Sequence, residues 1–309
     1  LMIMSIKLSA GTYSGGGGTS ANPYQIANAH DLIELSLTSA DWASGTYFIQ
    51  TANIEFSSDP ALQDWDNDNA AGPAEGFSPI GNASTKFRGT YDGQNHTISN
   101  LFINRPSVTG NNSGLFGYIW GSGDQVTNLG LLNVNITGYN NVGGLAGYQY
   151  QSGVKHCYST GSITGINEAS GGLVGSLDLG ILDSCFSTCS ISNSTTIVNS
   201  YSGGLVGNVN TGTLKYCFAA GSVNSTKGTN GGLVGLIALG SIEYCFATGN
   251  VNGTQNTGGL VGHAGTVLIK NSYSLGNVTR SSGTNPRIGG FCGYNAVTTI
   301  KNCYSAGKV

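Results

Sequence analysis

The residues in this chain best placed to do chemistry are cysteines at a fixed spacing. Gly-Gly-Leu-Val-Gly or a close variant begins at Gly143, Gly171, Gly203, Gly231, Gly258 and Gly289, and fourteen residues after each start stands Cys157, Cys185, Cys217, Cys245, Ser272 or Cys303. Thiols aligned in this way suggest a metal site or a redox chain. A metal site is disfavoured because each repeat supplies one ligand and no histidine column accompanies it. A disulfide needs Cβ atoms about 3.5–4.5 Å apart, slightly less than the roughly 4.8 Å that stacking of parallel strands gives. The expectation is a packed ladder of free thiols, in which cysteine acts as a small hydrophobe. Cys189 takes the place of the glycine found at Gly161, Gly221 and Gly249, and Cys292 replaces a valine, so both fall outside the ladder. Seven cysteines is an odd number, so at least one is unpaired or pairs between chains.

A second set of reactive groups lies two residues before the cysteine: Lys155, Asp183, Lys215, Glu243, Lys270 and Lys301. The alternating signs of the first four predict an external ion-pair ladder that resists a shift of register, because a wrong pairing sets like charges opposite one another. Alternation also cancels the local field, which argues against catalysis. Asp64, Asp66 and Asp68 form the densest acidic cluster and the one candidate for calcium, although the glycine and distal glutamate of a full calcium loop are missing. His30, His96, His156 and His263 share no spacing, and no nucleophile motif occurs. Paired carboxylates of the kind used to cleave polysaccharides are not evident in the repeats, so the expectation is a non-enzyme with no cofactor. A polysaccharide-binding or -cleaving helix is kept as a remote alternative. The best threonine column, Thr160, Thr188, Ala220, Thr248, Leu275 and Ala306, is too broken for an ice-binding face.

The elements that position these residues follow from the repeat. Successive blocks are 28, 32, 28, 27 and 31 residues apart, and all the variation falls between the cysteine position and the next Gly-Gly. A rigid half and an elastic half describe a stacked coil with one loop that can grow. Apolar columns accompany the cysteines: Val154, Leu182, Leu214, Ile242, Ile269 and Ile300 three residues before; Tyr158, Phe186, Phe218, Phe246, Tyr273 and Tyr304 one after. Leu145, Leu173, Leu205, Leu233, Leu260 and Phe291 form another column, and Ile163, Ile191, Val223, Val251, Val278 and Val309 a fourth. These fill the core or stack along a wall. Positions three apart fall on opposite faces of a flat strand, so if Leu214 and Cys217 both point inward a bend lies between them. The paired glycines are expected where φ is positive or where the chain passes close to a neighbour. The predicted fold is all-β: a parallel β-helix, or β-solenoid, with about 28–32-residue coils and a more irregular N-terminal part.

Composition agrees. Glycine supplies 50 of 309 residues and charged residues only 9%, against roughly 25% charged in ordinary domains. A net charge of −3 gives no case for nucleic acid, and no apolar run is long enough to span a bilayer. The Ser/Thr/Asn/Gly-rich surface favours an extracellular or cell-surface location, and eight Asn-x-Ser/Thr sequons begin at Asn82, Asn95, Asn111, Asn135, Asn193, Asn224, Asn252 and Asn277. Along the chain, residues 1–20 read as an apolar strand and a glycine joint at Gly15–Gly18. Residues 21–112 read as a lead-in with one helix around Ala29–Leu35 and a polar loop at 57–79. Residues 113–309 read as the regular solenoid, starting from the degenerate copy Ser113–Gly117. The longer loops Ser192–Ser202 and Arg280–Arg287 should protrude from one edge and are natural contact points.

The Gly-Gly-Leu/Phe-x-Gly blocks, together with Cys-Tyr/Phe-Ser/Ala-x-Gly-x-Val/Ile segments such as Cys157–Ile163 and Cys245–Val251, resemble the GLUG-motif repeat proteins of bacterial cell surfaces. The likeness covers roughly residues 15–309 and is most specific over 113–309. It implies a right-handed solenoid of the kind found in adhesins and in stalks of secreted immunoglobulin-A-cleaving metallopeptidases; no His-Glu-x-x-His occurs here. The expected role is a structural or adhesive rod whose partner is a host or cell-surface glycan or protein. The alternative is a filament subunit, self-associating head to tail through uncapped ends, with Leu1, Ile3, Ile6 and Leu8 added as a strand to the next copy.

Overall fold

The computed structural model describes residues 10–57, 75–194, 199–225, 227–280 and 287–309. The chain winds into a parallel β-solenoid of about nine turns with roughly 28 residues per turn. Three walls run along it. The first carries the longest strands, Val174–Asp183, Val206–Lys215, Val234–Glu243 and Val261–Lys270. The second holds the short strands after each cysteine, such as Phe218–Ala219 and Phe246–Ala247. The third holds the strands that enter each Gly-Gly, such as Tyr201–Gly203 and Thr229–Gly231. Equivalent positions face one another in register on all three walls: Leu214 opposite Ile242, Phe218 opposite Phe246, Gly203 opposite Gly231.

The sequence columns become lines of side chains along the axis. Leu145, Leu173, Leu205, Leu233 and Leu260 are fully buried, as are Val154, Leu182, Leu214, Ile242 and Ile269. Each such side chain contributes about 1.5–3 kcal/mol by leaving water. The bend required between Leu214 and Cys217 is present, and it sits on the residue just before the cysteine. There φ is 51° at His156, 56° at Ser184, 53° at Tyr216, 55° at Tyr244, 50° at Asn271 and 52° at Asn302. One left-handed residue resets the alternation, so the apolar residue and the cysteine both enter the core. The conformation costs an L-residue about 1–2 kcal/mol and suits Asn and His better than Tyr. The Tyr216 and Tyr244 rings stack on each other at 5.2 Å.

Of the two roles open to the paired glycines, close approach is the one realised. Neither Gly203 nor Gly204 has a left-handed φ, but a Cβ on Gly204 would collide with the carbonyl oxygen of Gly232 in the next coil. The same collision recurs from Gly172 to Gly204 and from Gly232 to Gly259. Here the backbones of successive coils meet, and Leu205 N–H donates to Leu233 O at 2.9 Å.

The N-terminal part is built into the same solenoid. Strands Tyr24–Ile26, Tyr47–Gln50 and Thr90–Asp92 continue the first wall, and Tyr91 pairs across to Val126. The helix Ala29–Leu37 is capped by Asn28, whose side chain accepts from Asp31 N–H at 3.0 Å. Its buried Leu32 and Leu35 join Ile26 and Phe48 in the core, and so cover the first coil. Gly15–Gly18, expected as a joint, is instead pinned to that coil. Gln25 N–H donates to Gly15 O at 2.8 Å and Tyr47 N–H to Gly18 O at 2.9 Å, with φ of 86° at Gly16 and 74° at Gly18. Leu1, Ile3, Ile6 and Leu8 lie outside the described residues, as do Asp64, Asp66 and Asp68 and parts of the 192–202 and 280–287 loops.

Gly204→Ala should destabilise the fold by about 1–3 kcal/mol, the usual cost of overpacking. Gly45→Ala, where nothing lies within 4 Å of the new Cβ, should cost only the roughly 1–2 kcal/mol left-handed penalty. Urea unfolding of both variants checks this, and an unchanged midpoint for Gly204→Ala would contradict the close approach.

Candidate functional site

Cys157, Cys185, Cys217 and Cys245 are completely buried, Ser272 occupies the same seat, and Cys303 is half-buried. All seven thiols are free. Each ladder thiol has a fixed pair of acceptors. Cys217 Sγ donates to Lys215 O at 3.0 Å and approaches Leu182 O, one coil back, at 3.5 Å. Ser272 Oγ donates to Lys270 O at 2.8 Å. It also accepts from Cys245 N–H at 3.1 Å, as Cys245 Sγ does from Cys217 N–H at 3.4 Å. A hydroxyl therefore replaces a thiol while keeping the carbonyl acceptor of its own coil and the N–H donor of the preceding one, which marks the column as a seat for a small hydrogen-bonding side chain. Burial pushes Cys157 up to about 12 and holds Cys217 and Cys245 well above the ordinary thiol value. Raised in this way, these three thiols hold little of the thiolate form that attacks carbon or binds metal. Among the described residues no group of three or more His, Cys, Asp or Glu is placed to hold a metal ion.

The charged column is in register from Lys155 to Lys301, yet its ion pairing is selective. Glu243 and Lys270 meet at 3.1 Å. Lys155 instead reaches back one coil to Asp124 at 2.7 Å, and this contact raises its pKa. Asp183 accepts from Ser184 Oγ at 3.0 Å, and among the described residues it forms no ion pair with Lys155 or Lys215. Asp124 escaped the column reading because it lies off the column: Thr127 stands opposite Lys155, and Asp124 stands opposite Gly153 across a shift of register.

The aromatic column is a wall feature. From Tyr158 to Tyr304 the six rings stack 4.6–5.1 Å apart with planes within 7° of parallel. Neighbours cover the ring faces, so the column offers edges to solvent and resists bending of the axis. A different aromatic surface lies on the outer face of strands Phe116–Trp120 and Ala146–Tyr150. There Tyr118 meets Tyr148 at 4.8 Å and Trp120 meets Tyr150 at 5.9 Å. Desolvation raises both Tyr118 and Tyr148, the latter to about 12. The signal for this surface was the alternation in Tyr118-Ile119-Trp120 and Tyr148-Gln149-Tyr150, which puts both aromatics of each segment on one face; Phe116, of the same parity, is instead buried in the core.

With this geometry established, comparison with known proteins is direct. The model of the GLUG motif matches residues 138–164, 231–252 and 284–309. This chain carries the GLUG repeat. Each match falls where Gly-Gly blocks, cysteine bends and following strands recur. Halomucin of Haloquadratum walsbyi is 35% identical over 167 residues, covering 53% of this chain and 2% of Halomucin. A candidate glycine-rich membrane protein of Evansella cellulosilytica is 34% identical over 127 residues, 40% of this chain and 13% of that protein. The chain thus spans a small fraction of either relative. Among solved structures, an immunoglobulin A1 protease candidate from Bacteroides ovatus superposes with a TM-score of 0.65 at 20% identity, covering 95% of this chain and 87% of that one. An IgA1 protease superposes with a TM-score of 0.58 at 22% identity, covering 92% of this chain and 21% of that one. At such identities the likeness is one of fold. Among the described residues no helix is long and apolar enough to cross a membrane.

Two outcomes follow for the GLUG columns. An unfolded thiol loses its proton near pH 9, whereas folded Cys157 keeps it to about 12. The folded state therefore binds more protons in that window, so this contribution is full below pH 9 and is lost as pH rises towards 12. Cys157→Ser should flatten the alkaline fall of the urea midpoint. Glu243→Gln should cost at most about 1 kcal/mol, as expected for a partly exposed pair. Glu243→Lys, which sets a run of cations from Lys215 to Lys301, should cost more and recover with added salt, as melting at low and high ionic strength will report.

Proposed function

We propose that this chain is a non-catalytic structural and adhesive rod segment of an extracellular, cell-surface protein. The carrying observation is the unbroken register of the buried columns from Val154 to Ile269, which makes an element that is long, stiff and chemically quiet. Further support comes from the buried, hydrogen-bonded ladder thiols, from carboxylates such as Asp124 and Glu243 engaged with lysines, and from relatives named for a mucin and for a membrane. The neighbours named for immunoglobulin A1 cleavage contribute the scaffold to this reading and not the activity. A filament remains the second reading. In that reading the contact would be carried by residues that continue the columns, such as Ile300 opposite Ile269 and Tyr304 opposite Tyr273. The helix over the first coil works against coil-on-coil docking at the other end.

The expected results are antibody labelling of the chain on intact cells, an elongated monomer by light scattering and electron microscopy, and intact immunoglobulin A1 after incubation with the pure chain. Labelling that needs permeabilised cells, or cleavage of the immunoglobulin, would overturn the rod; growing fibres of pure protein would replace it by the filament.

A further inference from the structure

We propose that the groove beside Trp120 is a binding site for a carboxylated sugar, a uronate or sialate unit of a glycan. The inference goes beyond the rod and holds whether or not the solenoid acts as a spacer.

The site is built by register. Phe87 bridges to Ile119 in parallel, with both side chains inward and fully buried. The residues on either side of Phe87 therefore emerge on the outer face next to Tyr118 and Trp120. Lys86 Nζ lies 5.5 Å from the Trp120 ring centroid and 5.8 Å from that of Tyr118. Arg88 Cζ lies 4.7 Å from the Trp120 centroid. Between them and the segment after the helix opens a groove of about 360 Å³, lined also by the hydroxyls of Ser44, Ser84 and Thr85.

Charge selects the ligand. The groove lining contains two cations and no carboxylate. The chain as a whole carries a net charge of −3 and only 12 Lys and Arg residues. Arg105, Lys155 and Lys270 have acidic partners, whereas among the described residues Lys86 and Arg88 have only the aromatic rings. A guanidinium beside an ammonium matches a carboxylate, which the arginine fork can hold through two parallel hydrogen bonds. The indole carries both cations over its ring and so holds them together, its apolar edge adds what a simple anion does not need, a surface for the C–H side of a sugar ring, and Ser44, Ser84 and Thr85 suit the remaining oxygens. The volume sits near the lower end of the roughly 300–1,000 Å³ usual for ligand sites, enough for one or two sugar units. Tyr148 and Tyr150 extend the aromatic surface along the axis, so a longer glycan can continue over them.

The groove is also held in shape. Arg88 N–H donates to Trp42 O at 2.7 Å, Phe87 N–H to Tyr118 O at 2.9 Å and Trp120 N–H to Phe87 O at 2.8 Å. Trp120 Nε1 donates to Gln151 Oε1 at 3.3 Å, and Trp42 Nε1 to Leu35 O at 2.8 Å. A site fixed in this way loses little freedom on binding.

Calorimetric titration of the full chain tests the proposal, with 3′-sialyllactose and tetragalacturonate as carboxylated probes and lactose and maltotetraose as neutral ones. One acidic probe should bind at least about tenfold more tightly than its neutral counterpart, with affinity falling as salt is added; which one binds distinguishes a sialate from a uronate ligand. Lys86→Gln with Arg88→Gln should abolish that preference, Trp120→Ala should weaken binding, and Lys308→Gln, an exposed cation outside the groove, should change nothing. Circular dichroism and melting confirm that each variant is folded; the surface pair decides the matter if Trp120→Ala is not. Equal binding of acidic and neutral probes, an unaffected double variant, or no binding of either acid overturns the site.

Discussion

The structure depends on one constraint: the backbones of successive coils must meet at the Gly-Gly positions. There a Cβ would strike a carbonyl oxygen of the next coil, and the inter-coil hydrogen bonds at Leu205 and its equivalents need that approach. Once those positions are fixed, every residue at a constant offset is carried into register with its counterpart. The thiols, the charges and the aromatic rings become columns because the glycines allow the coils to stack at strand spacing. Growth of a coil is then confined to the segment between the cysteine seat and the next Gly-Gly.

The same stacking encloses the thiols and the ring faces. Each ladder thiol is enclosed between carbonyls of its own and the preceding coil, and the equivalence of Ser272 shows that what the position asks for is a small donor. Stacked rings cover each other's faces. Where the repeat is imperfect, in the N-terminal coils, the register brings two cations beside an indole, and among the described residues neither has a carboxylate partner.

Much of the core was legible from spacing alone, because a column requires only that offsets be constant. The columns of Leu205, Leu214 and Cys217 could be drawn from sequence, together with the bend that follows if the last two both point inward. The residue that makes the bend was not readable: His156, Ser184, Tyr216 and Asn271 share a backbone conformation and no side-chain chemistry. The direction in which a charged side chain leans was equally hidden. Lys155 faces Asp183 on one side and reaches the other way to Asp124, since a long side chain on a surface chooses among acceptors in both neighbouring coils.

By itself the sequence determined the repeat, the β-solenoid, the buried columns and the GLUG resemblance, because all of these follow from periodicity along one dimension. Tertiary structure decided which glycine role applied, that Gly15–Gly18 is hydrogen-bonded to the first coil, that a helix covers that coil, and that Lys86, Arg88 and Trp120 share a groove. Those facts depend on which side of a coil a residue leaves and what stands one turn away. In irregular coils, where the offsets to neighbours are not constant, that information exists only after the chain has wound.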